Sequence, residues 1–425
     1  MFLSISKAKV VSFYLKGEGF DEFRRRLQEF KDEFNDEHLC GPEVSERAFD
    51  LGWQGMSFNL FRTGAKKSPY KLSSGDITLL FSNHKHTASY PNCRLEIHSM
   101  SCWNPGWNAV YDRFLAFLEQ LGCTVHRETV TEYHLTADLL GVDFTKTGLI
   151  NYRRWIVKAP KKISPTYEYY KPNYISFGKG DFMLRCYDKT AELLHDEVKK
   201  DFFFNVWHDA AGYVPEHVTR IEFQIRRNVS KELEINTVED LENGLDAIWQ
   251  YCVGSSDGKQ KGWARFCDKN ISDKDRDNKH HNRYATADLW NFIRSVRFGK
   301  SRTEVVPLER KKLRPQYDRE RSVKQAVGLF TSICAADGMH PDDYDGHINR
   351  SFTLLYQAIT EKYRTDRVEY VRKFETKRNA VVNTMFNDLY DDSLAYISDC
   401  YGYSSDCFMK DVDNYSHKRA LGLEP

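Results

Sequence analysis

Residues 130–138, 182–188 and 219–226 each alternate polar with apolar side chains, and the polar positions are of types that can do chemistry. Successive side chains of a strand point to opposite faces. Glu132, His134, Thr136 and Asp138 therefore share one face, opposite Tyr133, Leu135 and Ala137. Arg220, Glu222, Gln224 and Arg226 do the same opposite Ile221, Phe223 and Ile225. Met183, Arg185 and Tyr187 stand opposite Phe182, Leu184 and Cys186. If the three strands lie in one sheet, helices cover its apolar side, and the other side is an open surface of Arg, Glu, Asp, His and Tyr. Such a surface suits phosphodiester chemistry. Carboxylates hold Mg²⁺ or Mn²⁺, hard ions that prefer oxygen ligands. Arginines clamp phosphate oxygens. A tyrosine hydroxyl attacks while the cations offset the charge that develops. The structural alternative is an exposed antiparallel sheet with cross-strand ion pairs.

The elements that must position these strands are legible in outline. Residues 1–36 read as strand then helix, with Phe20, Phe23, Leu27, Phe30 and Phe34 on one helical face. Residues 55–64, 76–83 and 93–103 read as three strands in Gly/Ser-punctuated sequence. Asn104–Pro105 opens a helix with the stripe Val110, Phe114, Phe117, Leu118 and Leu121, which Gly122 ends. Strands follow at 130–141, 167–178, 180–189 and 218–227. Thr237 then opens a helix with the stripe Val238, Leu241, Leu245, Ile248, Trp249 and Cys252. Two β-rich halves, each with a long helix, predict a pseudo-duplicated α+β plan: a large antiparallel sheet, helices on one face, an open polar face. Residues 254–320 turn polar and end in a basic stretch, so they read as a surface-lying DNA-contacting segment and linker. Beyond 320 the pattern is helical, with the stripe Phe352, Leu355, Tyr356, Ile359 and Tyr363 and then an acidic tail. The expected domains are thus 1–253, 254–320 and 321–425.

Composition bounds the rest. A chain of 425 residues can bury a large core, and 41% hydrophobic with 29% charged residues is globular, not disordered or collagenous. The net charge is +1, from 62 basic and 61 acidic residues, so any nucleic-acid site must come from local segregation of charge. No apolar run approaches the roughly 18 residues of a membrane span. The first residues read as a strand and not as a signal peptide. Ten scattered cysteines without a CxxC pair read as reduced thiols of a cytoplasmic protein. His84-Lys85-His86 has the spacing of a two-histidine nicking motif but a lysine at its centre.

The string Leu184-Arg185-Cys186-Tyr187-Asp188-Lys189, after Ser176-Phe177-Gly178 and a turn, resembles a recurring hairpin of rolling-circle replication initiators of the plasmid and filamentous-phage type. Thr219-Arg220-Ile221-Glu222-Phe223-Gln224 resembles their Arg-x-Glu strand, and Val130 to Asp138 stands where they carry a strand ending in Asp. Trp263-Ala264-Arg265-Phe266, then Asn282-Arg283-Tyr284 and Leu289-Trp290, resemble a downstream stretch. The resemblance spans about residues 50–300.

It implies site-specific nicking at a replication origin: a tyrosine attacks one DNA strand, forms a 5′-phosphotyrosyl link and leaves a 3′-OH to prime synthesis, with a divalent metal, Mg²⁺ or Mn²⁺. Carried over, Asp138, Asp188 and Glu222 are the metal-binding acids, and Arg185 and Arg220 the phosphate clamps. His134 stands where relatives carry a carboxylate and is a further candidate ligand. Strict alternation puts Asp188 on the side of Cys186, so it reaches the others only if the strand ends or bulges. In plasmid relatives the nucleophilic Tyr directly precedes the Glu of the Arg-x-Glu strand; here that position is Ile221. Tyr187 takes the role by sharing a face with Arg185, with Tyr251 and Tyr284 as weaker alternatives. Arg226, Lys259, Lys261, Arg265, Arg310, Lys311, Lys312 and Arg314 are the expected DNA contacts. Origin DNA is the expected partner, no membrane is, and host helicase and polymerase and a homodimer are further expectations. A sequence-specific DNA-binding regulator without catalysis, and a relaxase of a mobile element, are the competing readings.

Overall fold

The computed structural model describes residues 2–7, 9–36, 41, 43–53, 55–65, 68–83, 91–158, 162–168, 171–277, 280, 283–299, 305–311, 319–336 and 344–388. His84-Lys85-His86 and the acidic tail lie outside them. Two compact units result, Met1–Lys311 and Lys312–Pro425.

The first unit is built on strands β1 (Phe2–Lys7), β2 (Lys9–Lys16), β3 (Glu46–Phe49), β4 (Phe58–Phe61), β5 (Tyr70–Ser74), β6 (Ile77–Phe81), β7 (Cys93–Ile97), β8 (Thr124–Val130) and β9 (Glu132–Leu140). They continue with β10 (Trp155–Val157), β11 (Ile163–Glu168), β12 (Lys171–Gly178), β13 (Phe182–Asp188), β14 (Val218–Arg226) and β15 (Ala264–Phe266). A six-stranded sheet has the order β1-β9-β14-β13-β12-β11, and a seven-stranded sheet the order β3-β4-β5-β6-β7-β2-β8. Every pairing in both is antiparallel. The α+β plan is therefore as expected, with mixed helices and strands, large antiparallel sheets and a helical C-terminal region. The chain crosses between the sheets twice at one level: between β1 and β2, and at Thr131 between β8 and β9.

Helices cover one face of each sheet because their apolar stripes have nowhere else to go. On the seven-stranded sheet, Phe23 of the helix Glu18–Asn35 meets Phe81 at 5.0 Å between ring centroids. Phe114 of the helix Trp107–Gln120 meets Phe13 at 5.2 Å. On the six-stranded sheet, the helix Val238–Val253 opens with a capping box of Thr237 and Asp240. It lays Trp249 edge-on to Phe223 at 5.9 Å.

Two features differ from expectation. Residues 254–298 do not lie on the surface as a polar linker. β15 pairs with β10, and Trp263, Phe266, Trp290 and Ile293 enter the main core. Trp155 meets Phe266 at 5.0 Å and Trp290 at 5.1 Å. The apolar residues of this segment are few but large, and each aromatic buries much area. The second feature is a helix, Glu197–Ala211, that lies over the polar face of the six-stranded sheet instead of the apolar one. That face is open only in part.

In the second unit, the helices Arg319–Ala336, Tyr344–Thr365 and Arg367–Asp388 meet through Phe330 and Phe352 at 4.4 Å and through Tyr363 and Tyr370 at 5.4 Å. All five residues of the expected stripe, Phe352, Leu355, Tyr356, Ile359 and Tyr363, stand exposed. Among the described residues, no helix is long and apolar enough to cross a membrane.

Candidate active site

Register assembles the site. β14 lies between β9 and β13, and its residues stand opposite their cross-strand partners: Arg220 beside Asp138 and Tyr187, Glu222 beside Thr136 and Arg185, and Gln224 beside His134. Residues far apart in sequence thus meet on one face, as the alternation predicts.

The Asp138 end is closed. Arg220 donates to Asp138 twice, Nε to Oδ1 at 2.6 Å and Nη2 to Oδ2 at 2.7 Å. Trp207 of the covering helix donates its Nε1–H to Asp138 Oδ2 at 3.2 Å. The Phe203 ring centroid lies 5.2 Å from the Arg220 guanidinium. Asp138 and Arg220 are 1% and 2% exposed, so neither reaches a phosphate from solvent. Burial opposes the charge on Arg220, but the Asp138 carboxylate outweighs it and holds the guanidinium charged.

The Glu222 end opens to a cleft. Glu222 Oε1 accepts from Arg185 Nη1 at 2.7 Å and lies 3.0 Å from His134 Nδ1. Its Oε2 accepts from the Tyr187 hydroxyl at 3.0 Å. His134 Nε2 in turn lies 3.0 Å from Glu132 Oε1. Arg185 also donates to Gln224. Arg185 and Tyr187 are half-buried. With Lys189, Glu192 and Glu222 they line a cleft of about 350 Å³, whose far wall carries Asp76 and His98 of the other sheet. A neighbouring cleft of about 340 Å³ shares Arg185, Tyr187, Glu192 and Glu222 and is completed by Tyr174 and His195. Burial, and then the Glu222 carboxylate, push the Tyr187 phenol well above its ordinary pKa. Burial also works against a charged Glu222, but His134, Arg185 and Arg220 together hold its carboxyl well below the usual range.

That shift has a sign that can be tested. A carboxylate more acidic in the folded chain contributes stability that is present above its unfolded pKa of about 4.3 and is lost as pH falls through its folded value. Urea unfolding as a function of pH is expected to show wild-type stability falling below about pH 4. Glu222→Gln, less stable at neutral pH, lacks that part of the decline. Parallel acid limbs for the two proteins would refute the assignment.

The metal-ligand expectation does not fit this arrangement. Both oxygens of Asp138 are taken by Arg220 and Trp207, and both oxygens of Glu222 by Arg185, His134 and Tyr187. Asp188 is paired with Thr219 in unbroken register and ends its strand there. Its Oδ1 accepts from Ala191 N at 2.9 Å, capping the short helix Lys189–Leu193. Among the described residues, no group of three or more His, Cys, Asp or Glu side chains converges as a cation would require.

The other expected residues are dispersed. Arg226 is exposed at the rim, its Nε 3.1 Å from Glu132 Oε2. Lys259 is exposed beside Asp257. Arg265 is half-buried and donates to the Tyr284 carbonyl at 3.0 Å. Arg310 pairs with Glu232 and Lys311 with Glu234, while Lys261 and Arg310 line a separate cavity. Lys312 and Arg314 lie outside the described residues. Of the alternative tyrosines, Tyr284 is buried and donates to Asp275 at 2.7 Å. Tyr251 packs edge-on to Phe182, on the apolar face. Ile221 is fully buried on that face too, so a tyrosine there would point away from the cleft. The residues missed in the sequence are Trp207, Phe203 and Lys189. The first two had a signal: they stand four apart between Asp196, which caps the helix, and Gly212, which ends it.

No protein-family model matches the chain, and no curated protein matches its sequence. Among solved structures, the chain is similar to the rolling circle replication initiator protein from Geobacillus stearothermophilus, with 11% sequence identity and a TM-score of 0.36 over 70% of this chain and 98% of that one.

Proposed function

We propose that this protein is a replication initiator that binds a phage or plasmid origin and nicks one DNA strand through Tyr187. The reading is supported above all by one contact: the Tyr187 hydroxyl donates to a buried carboxylate, Glu222, which Arg185 holds in place at the mouth of a cleft. Nucleophile, proton acceptor and orienting group in hydrogen-bond series are what covalent catalysis by a hydroxyl requires. In the proposed step the Tyr187 oxygen bonds to the scissile phosphorus, the bond to the 3′-oxygen breaks, and the phenolic proton passes by way of Glu222 to the departing 3′-oxygen. The product is a 5′-phosphotyrosyl adduct and a free 3′-hydroxyl. Arg185, still partly exposed, faces the phosphate; Arg220 instead fixes the strand that carries Glu222. No cation is assigned to these residues, and Mn²⁺ dependence is an arm of the test.

The test is incubation with supercoiled DNA carrying the replicon's own origin, with Mn²⁺ and with a chelator, followed by a denaturing gel and peptide mapping of any covalent adduct. Nicked circles with the adduct on Tyr187 are expected. An adduct on another residue, or none, sinks the tyrosine assignment. The second reading, a sequence-specific binding protein without catalysis, is favoured by Ile221 at the position where relatives carry their nucleophile. Tight origin binding that leaves the DNA intact would establish it.

A further inference from the structure

Away from the two clefts, a third cavity of about 420 Å³ lies on the helix-covered side of the six-stranded sheet. Its walls are Lys158 beyond β10, Gln250 and Tyr251 near the end of the helix Val238–Val253, Gln260 and Lys261 in the turn that follows, and Arg310 from a later strap. Neither Tyr187 nor Glu222 takes part in it.

The cavity is preformed. Ser255 N donates to the Gln260 carbonyl at 3.0 Å, and Gln260 N donates to Ser255 Oγ at 2.9 Å. Gly258 N closes the same turn on the Ser255 carbonyl at 3.1 Å. Gly262 has φ +73°, and a Cβ there would stand 2.5 Å from Gly254 N, so the turn presses directly on the helix end. The strap is held by Lys311 N donating to the Glu232 carbonyl at 2.8 Å and by the Arg310–Glu232 pair.

Its chemistry is specific. Gln260 Oε1 is buried and meets no donor. A buried acceptor without a partner, on a rigid turn, calls for a group that supplies the missing hydrogen. Gln250, 6% exposed, adds a second amide. Tyr251 supplies a flat ring, with Lys158 Nζ 5.8 Å from its centroid. Lys158, Lys261 and Arg310 outnumber the one acidic lining residue, Glu309. The complement of this set is a planar heteroaromatic ring bearing an amine, joined to an anion. Glutamine amides pair with the edge of adenine in this way, and arginine and lysine with phosphate.

We propose that this cavity binds one nucleotide, its amino-bearing base against Gln260, Gln250 and Tyr251 and its phosphate at Lys158 and Arg310. A volume of this size suits such a ligand. The nucleotide is either free or one unit of a single strand that the protein holds; both present the same chemistry.

Calorimetric titration of the full chain with dAMP and with a single-stranded oligodeoxyadenylate tests it. At least about a tenfold loss of affinity is expected for Gln260→Leu, since the amine of the base is then buried without its acceptor. Gln260→Glu keeps the size and adds a charge that repels phosphate, and it is expected to weaken binding further. Loss for dAMP marks a free-nucleotide site; loss for the oligonucleotide alone marks a base taken from a strand. Binding of dAMP is read with no origin DNA and no nicking, so this result stands or falls apart from the nicking reading. If dAMP does not bind and Gln260→Leu leaves oligonucleotide affinity unchanged, the proposal is overturned.

Discussion

Tyr187→Phe is expected to abolish the covalent adduct and to lower origin nicking by about three orders of magnitude or more, the scale on which enzymes lose rate when a covalent nucleophile is removed. The substitution deletes one oxygen. The ring keeps its packing against Tyr174, whose centroid lies 6.3 Å away. The strand keeps its pairing with β12 and β14. What is lost is the donor to Glu222 Oε2, and a buried acceptor left without its partner costs about 1–3 kcal/mol. DNA binding, read by gel shift, should therefore survive while the adduct disappears. An adduct that persists would move the nucleophile elsewhere. Tyr251 and Tyr284 are poor substitutes, because each is packed away from the cleft.

The second large effect concerns stability. Asp138→Ala is expected to destabilise the first unit by about 3–5 kcal/mol, because it strands a guanidinium that has no access to water. Arg220 is 2% exposed, and the Phe203 ring covers its guanidinium at 5.2 Å. Removing both charges together should cost much less. Asp138→Leu combined with Arg220→Met is expected to recover most of the loss in urea unfolding, as buried pairs replaced by apolar residues often do. A single Asp138→Ala variant within about 1 kcal/mol of wild type would mean that the pair is solvated after all. Nicking assays of the same variants over a range of Mn²⁺ concentrations separate two explanations for lost activity. A loss through the fold is independent of Mn²⁺ concentration, whereas loss of a metal ligand is not.

The face shared by Asp138, Glu222, Arg185 and Tyr187 was legible because strand alternation is strictly local: two residues per repeat, with no bulge within the β9–β14–β13 register. The awkward parity of Asp188 was legible too: the strand ends at that residue, which caps the next helix and lines the neighbouring cleft beside Tyr187. The partners of these residues were not. Arg220 and Asp138 are 82 residues apart, and nothing local says that the arginine will spend itself on that carboxylate and not on a phosphate. The helix Glu197–Ala211 escaped notice because Phe202, Phe203, Phe204, Val206 and Trp207 run together and blur the 3.6-residue period. Without that helix the polar face reads as open. In residues 254–298, average polarity hid three large aromatics that anchor the segment to the core.

The double passage of the chain between the sheets has a mechanical consequence. Of the residues that line the cleft, Asp76 and His98 flank strands of the seven-stranded sheet, and Tyr187 and Glu222 belong to the six-stranded one. Two neighbouring antiparallel ribbons bend across the seam side by side, and the last pair before the bend is Lys7 with His134. A single ribbon could swivel; two laid together can flex only about one shared axis. Opening of the cleft is expected to follow that one axis, and His134, paired with Lys7 beside the seam, lies next to it.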